Sequence, residues 1–166
     1  MINFELVNPR QTVLVTCREE TDILGKRMQK DDIVAVDWHT PLSSEPFMYA
    51  VALAKKRLSY ELIHKSRAFV VNFVPYTLKE EVLFCGTHSG RHIDKFAEAG
   101  LTKEESQALD CPRIKEAIGF LECEVVDELE TGDHVLLIAR VMNSELKRQS
   151  RRPYHIKEEA FTTTEE

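Results

Sequence analysis

Four short segments of this sequence hold side chains whose types and spacing suit chemistry. The first runs Asp37-Trp38-His39-Thr40-Pro41-Leu42-Ser43-Ser44-Glu45-Pro46. Its hydroxyls, backbone N–H groups and two rigid prolines follow an apolar stretch directly, and such a loop can trace the edge of a flat heterocycle. The same composition also describes a plain strand connection with Trp38 in the core. The second runs from Lys55 to Ser66, where Arg57 stands two residues before Ser59 at an expected helix start. A guanidinium, a hydroxyl and a helix N-terminus together make an anion site, because Arg binds phosphate through paired donors and the first helical N–H groups are free. A solvated basic turn with Ser59 only capping is the structural alternative.

The third segment, Thr87 to Phe96, places Ser89 and Gly90 before an expected helix, with Lys95 as a point charge able to reach the same anion. His88 and His92 are spaced i, i+4 after Cys85, which raises a metal site. Zinc needs three or four ligands in a closed geometry, and no second ligand cluster is evident, so no metal is expected. The fourth, Thr131 to Val141, sets Asp133-His134 at the mouth of a hairpin, where the imidazole can donate a proton or contact a bound ring. A turn Asp beside a surface His is the plain alternative. Glu122 and Glu124 share a strand face without a partner for acid–base work, and Asn72 in Phe69-Val70-Val71-Asn72-Phe73 is a strand polar group that needs a hydrogen bond.

These side chains must be positioned by the rest of a 166-residue chain, 43% hydrophobic and 30% charged, with a net charge of −6. That length supports one self-sufficient domain, residues 1–166, with a charged C-terminal tail over 146–166. The acidic balance argues against nucleic acid as a partner. The basic run from Lys147 to Arg152 is short, sits near Glu158-Glu159 and reads as a solvated face. No apolar run approaches the ~18 residues of a membrane span, and Met1-Ile2-Asn3-Phe4-Glu5 lacks a secretory pattern, so a soluble cytoplasmic protein is expected. Cys17, Cys85, Cys111 and Cys123 lie far apart with no CxxC pair and read as reduced, packed thiols.

Strands are expected at Thr12–Cys17, Ile33–Trp38, Met48–Ala54, Phe69–Val74, Phe120–Val126 and His134–Val141, the last two joined through Thr131-Gly132-Asp133. The density of apolar residues in the second suggests cover on both faces. His39 to Pro46, with two prolines and two serines, is expected to be irregular. Helices are expected over Ser59–Lys65, from the capping-box patterns at Thr77 and Thr102, and from about Arg91 to Gly100. After Glu145 the chain is expected to lie on the surface or fray. Six strands with short helices inserted between them make a mainly β (α+β) fold, an antiparallel barrel or sandwich. No GxGxxG or GxxxxGK[ST] occurs, so a nucleotide-like cofactor would have to sit on a β fold.

In order along the chain stand Asp37-Trp38, Thr40-Pro41, Ser43 and Pro46; Arg57-Leu58-Ser59; Phe69-Val70-Val71-Asn72; Ser89-Gly90 with Asp94-Lys95-Phe96; Leu121-Glu122-Cys123-Glu124; and Gly132-Asp133-His134. This series resembles the flavin reductase-like family with its FMN-binding split barrel, and within it the flavoredoxin-like branch. The resemblance runs from about Thr12 to Val141, and FVVN, SGxxxDKF and GDH are its most specific pieces. It implies an antiparallel split β-barrel and a homodimer, with one FMN per site near the subunit interface. The segment Asp37, Trp38, His39, Thr40, Ser43 and Ser44 would line the isoalloxazine ring. Arg57, Ser59, Ser89, Gly90 and Lys95 would hold the phosphate, and His134 would lie near the ring or an incoming nicotinamide. The implied chemistry is the cofactor's: hydride or electrons pass through FMN from NAD(P)H or another donor to a small-molecule or protein acceptor, with no obligatory catalytic side chain. The chain departs from the family pattern over Leu24–Asp32 and at Ala139-Arg140, and nothing in it marks a nicotinamide site. A non-catalytic split-barrel module for another ligand, such as haem, is the alternative.

Overall fold

Alternation of apolar residues shapes the computed structural model, which describes residues 3–164. After a 3-10 turn at Phe4–Val7 come β1 (Arg10–Gln11), β2 (Val13–Ile23) and β3 (Lys26–Val36). β2 and β3 form a hairpin through Leu24 (φ 50) and Gly25 (φ 78), the left-handed pair that a two-residue type I′ turn requires. There follow β4 (His39–Ser44), β5 (Phe47–Ala54), α1 (Leu58–Ser66), β6 (Ala68–Phe73), α2 (Lys79–Thr87) and α3 (Lys95–Ala99). The chain ends with β7 (Lys103–Glu105), β8 (Pro112–Ile114), β9 (Gly119–Thr131), β10 (His134–Leu146), β11 (Tyr154–Lys157) and β12 (Ala160–Thr162).

Seven strands make one antiparallel sheet in the order β3-β2-β6-β9-β10-β5-β4. Ala52 N–H on β5 donates to the Trp38 carbonyl (2.9 Å), which carries the β4–β5 ladder to within two residues of the end of β3. Asp37-Trp38 is therefore the corner where one edge of the sheet turns into the other. Inside the barrel, Val13, Val15, Val34, Val36, Val51, Phe69, Val71 and Leu137 pack with Leu58, Leu62 and Ile63 of α1. The alternate residues Leu14 and Ile33 point outward and are covered by Val82 and Cys85 of α2 and Phe96 of α3. Both faces are thus covered over 13–17 of β2 and 33–36 of β3, the latter as the apolar density there suggested, while the halves near the hairpin turn are largely exposed. Asn72 is fully buried and saturated: its amide donates to the Leu14 carbonyl (2.9 Å) and Thr16 Oγ1 (3.0 Å), and its oxygen accepts from Ile114 N–H (2.9 Å).

Several local expectations are corrected. His39–Ser44 is a strand, because β4 pairs only with β5 and an edge strand accommodates Pro41, whose missing N–H costs no ladder bond there. The register slips between Pro41 and Ser43, and Glu45-Pro46 is a cis peptide. Ser59 does not cap α1: Arg57 is the N-cap residue and Ser59 sits inside the first turn. Thr77 lies in a 3-10 turn ahead of α2 and makes no cap. The pattern at Thr102 begins strand β7 rather than a helix, since Glu104 and Glu105 reach sideways to Arg113 and Arg18. The helix expected from Arg91 is only α3, capped by Asp94 Oδ1 on Ala97 N–H (3.2 Å) and closed by Gly100 at φ 66. The tail does not fray through its whole length: β11 pairs with β1 and β12, bringing residues 154–162 back onto the barrel.

Candidate functional site

The corner at Asp37-Trp38 opens a cleft of about 420 Å³. Val34, Ala35 and Val36 at the end of β3 form one wall, and Ala52, Leu53 and Ala54 at the end of β5 another. Trp38 is 40% exposed and so is not the core residue of the alternative reading. Its ring lies 4.7 Å from that of His134, which enters from the start of β10. His134 Nδ1 is 2.6 Å from Asp133 Oδ1, a contact that holds the Asp133 carboxyl below its usual range. The cleft is thus mostly apolar with a few polar groups at its margin, the usual make-up of a small-molecule site.

A second cavity of about 250 Å³ shares Val34 and Arg57 with the first. It is built by the start of α1 and the turn after α2, and its wall includes Ser59, Thr87, Ser89, Gly90, Asp32 and Lys95. Ser59 is 1% exposed, and its hydroxyl has no hydrogen-bond partner in the protein. Arg57 donates one N–H to the Gly86 carbonyl (3.2 Å) while lining both cavities. The first N–H groups of α1 add the positive end of a nine-residue helix.

Not every expected residue converges here. Asp37, Trp38, Arg57 and His134 share the apolar cleft, and Arg57, Ser59, Ser89, Gly90 and Lys95 share the second cavity. His39 turns away into a structural bridge: Nε2 donates to the Gln11 carbonyl and Nδ1 accepts from the Tyr49 hydroxyl, each at 2.7 Å. Burial pushes the His39 ring down and the Tyr49 phenol up to about 12, so both stay neutral. Thr40, Ser43 and Ser44 on β4 line neither cavity, because the edge strand runs away from the corner. Lys95 is committed to the protein: its amine donates to the carbonyls of Ile33 (2.6 Å) and Cys85 (3.0 Å) and lies 3.6 Å from Asp32 Oδ1. Burial pushes the Lys95 ammonium down and the Asp32 carboxyl up, and their mutual attraction opposes both shifts. Lys95 therefore offsets the acid in the cavity wall, with two of its three N–H groups held by backbone carbonyls.

No metal cluster is found among the described residues; His88 instead stacks on Phe84, 4.1 Å between ring centroids. All four cysteines are free and buried, and burial raises the thiol of each, with Cys85 at about 12, so none is poised as a nucleophile. Among the cleft residues that escaped sequence reasoning, one is titratable. His155 on β11 lines it, with Nδ1 2.6 Å from Asp37 Oδ2 and Nε2 2.9 Å from the Glu158 carbonyl. The alternation of Tyr154-His155-Ile156 between Pro153 and Lys157 is the only signal that marked this stretch as a strand.

Among the described residues no helix is long and apolar enough to cross a membrane. The chain is 34% identical to an uncharacterized protein of Pyrococcus abyssi over 161 residues, 97% of this chain and 82% of that protein. Its fold is similar to that of an FMN-binding protein from Thermus thermophilus solved with bound 1-cyclohex-2-enone, with a TM-score of 0.85, 22% identity and coverage of 98% of this chain and 90% of the other. It is also similar to the flavoredoxin of Desulfovibrio vulgaris, with a TM-score of 0.78, 21% identity and coverage of 95% and 88%. The family model of the flavin reductase like domain matches residues 7–165. With the motif series, the split antiparallel barrel and this match in agreement, the chain belongs to the flavin reductase-like family.

Proposed function

We propose that the two joined cavities hold one FMN, its ring in the apolar cleft beside Trp38 and its phosphate in the cavity at the start of α1. The observation that carries this reading is the Ser59 hydroxyl, buried and unpartnered in the cavity that shares Arg57 with the apolar cleft. A buried hydroxyl without a partner costs stability unless a ligand supplies one. A phosphate fits the chemistry present: a guanidinium, a hydroxyl, free helix N–H groups, and Gly90, where a side chain would crowd the wall. Asp32 is the one acid in that wall, and Lys95 offsets its charge.

Bound FMN supplies hydride and single-electron chemistry. The chain's own residues bind and orient it: Arg57 and Ser59 hold the anionic end, while Trp38 and the aliphatic walls from β3 and β5 exclude water from the ring. His134, held by Asp133 against Trp38, is placed to meet the ring or an incoming nicotinamide. The reading is a flavin-dependent oxidoreductase, either an NAD(P)H:flavin reductase or a flavoredoxin-type carrier, working in the cytoplasm. It includes a homodimer, for which the support is the unpaired edge of β4 and the exposed Leu42 and Phe47 at the β4–β5 hairpin.

The test is an absorbance spectrum of the purified protein, FMN titration, then anaerobic addition of NADH and of NADPH. A flavin spectrum bleached by one nicotinamide supports a reductase, and one bleached only by a low-potential donor supports a carrier. A protein that takes up no FMN, or that shows a Soret band on haem addition instead, sinks the reading. Sedimentation equilibrium of the full chain tests the dimer.

A further inference from the structure

The imidazole of His155 stands between two hydrogen-bond acceptors. Nδ1 faces the Asp37 carboxylate at 2.6 Å and Nε2 faces the Glu158 carbonyl at 2.9 Å. A neutral ring donates from one nitrogen only, so both bonds form together only when both nitrogens carry protons. Asp37 lies in the wall of the apolar cleft, and its other oxygen accepts from the Thr12 hydroxyl (2.5 Å). Its carboxylate would set a negative charge beside a ring that becomes more negative on reduction.

We propose that His155 is a charge-masking residue of the cleft, which neutralises Asp37 and thereby favours the reduced over the oxidised cofactor. The proposal rests on FMN occupying the cleft. When two electrons and one proton enter the flavin ring, one net negative charge remains on it. A bare carboxylate in the same low-dielectric wall opposes that charge, and a carboxylate paired with an imidazolium opposes it far less.

The surrounding charges do not duplicate this role. Arg10, opposite His155 in the β1–β11 pairing, donates Nε to the Asp37 backbone carbonyl (3.0 Å), not to its carboxylate. Arg57 lines the cleft but also the phosphate cavity, where an anionic group would engage it. His134 is occupied by Asp133. The neighbouring part of α2 brings only Val82, Leu83, Gly86 and Thr87 to the side cavity that His155 shares with Glu158, and β12 brings the Phe161 ring at 5.4 Å. Lys157, the other titratable side chain of β11 besides Tyr154, is exposed. Besides the neutral Thr12 hydroxyl, His155 is the side chain that faces the Asp37 carboxylate with a ring nitrogen.

The experiment measures the midpoint potential of bound FMN in the holoprotein, with dithionite and reference dyes, for the wild type, H155Q, D37N and the D37N/H155Q double variant. H155Q is expected to lower the ratio of reduced to oxidised FMN affinity about tenfold, a shift of ~30 mV to the negative for a two-electron couple. D37N alone is expected not to fall below the wild type, since no carboxylate is left to oppose the reduced ring. The double variant is expected to recover to the same range, because no carboxylate is left to mask. A residue that merely tethered the C-terminal strands would not be rescued in this way. An unchanged potential in H155Q, a tenfold fall in D37N, or a double variant as low as H155Q overturns the proposal while leaving FMN binding standing. A wild type that binds no FMN overturns both.

Discussion

Gly90 lies so close to Asp32 that a Cβ at position 90 would sit 2.2 Å from Asp32 Oδ1. The carboxylate is 3% exposed and faces the equally buried amine of Lys95, so moving it aside separates a buried ion pair. G90A is therefore expected to destabilise the fold by about 1–3 kcal/mol through overpacking and to deform the phosphate cavity. Urea unfolding measures the first effect and FMN titration the second. An alanine variant as stable as the wild type would show that the wall yields.

S59A separates binding from folding. The hydroxyl is buried and has no partner in the protein, so its removal is expected to leave stability unchanged or slightly higher. Affinity for FMN is expected to fall roughly tenfold, the worth of one hydrogen bond to a charged group. R57A is expected to lose more than S59A, because a guanidinium supplies paired, charge-assisted donors. Fluorescence quenching of FMN on titration reads both, and equal affinity in S59A and wild type would remove the hydroxyl from the site.

N72L probes the joint between the barrel and its outer layer. The leucine would leave Ile114 N–H buried without its acceptor and would strip the Leu14 carbonyl and Thr16 hydroxyl of a donor. A loss of roughly 2–4 kcal/mol in urea unfolding is expected, more than one buried unsatisfied group alone costs. A loss under 1 kcal/mol would mean that water replaces the amide.

Acid sensitivity is expected around Arg18, which donates to Asp31 (2.7 Å), Glu105 (2.7 Å) and Asp110 (2.9 Å). The Arg18 guanidinium holds the Glu105 carboxyl below the usual glutamate range, and Arg91 does the same for Glu61. A carboxyl depressed in the folded state stabilises it above the unfolded value and loses that contribution as pH falls through the folded one. Stability is therefore expected to decline as pH drops below about 4, the ordinary glutamate value. R18M should flatten that decline and lower stability at neutral pH. Thermal melts at pH 3 to 7 for both proteins decide it; parallel curves would mean that these contacts do not differ between the folded and unfolded chain.

Much of this architecture is legible in the residues themselves. Period-two alternation marks the long strands because each has one face in the barrel, and Gly132 marks the hairpin because its turn needs a positive φ. Asn72 declares its need for partners by standing alone in an apolar strand. The pattern at Thr77 does precede a helix, α2, though without a side-chain cap, whereas the one at Thr102 misled because tertiary contacts outbid its short-range hydrogen bonds. Glu104 and Glu105 leave the capping geometry for Arg113 and Arg18, which no local window contains.

Sequence alone determined the fold class, the absence of a nucleotide-loop motif and the chain positions of Arg57, Ser59 and His134. Only the tertiary structure decided which of them meet. The passage of the chain from β3 into β4 at Asp37-Trp38 sets the end of β3 beside the end of β5 and makes the cleft, since a cavity exists only where separate elements are packed side by side. The same passage turns β4 outward with Thr40, Ser43 and Ser44, and sends His39 to Tyr49. It also brings His155, 118 residues from Asp37, within 2.6 Å of it. A hydrogen bond depends on distance in space, and chain separation carries no trace of it.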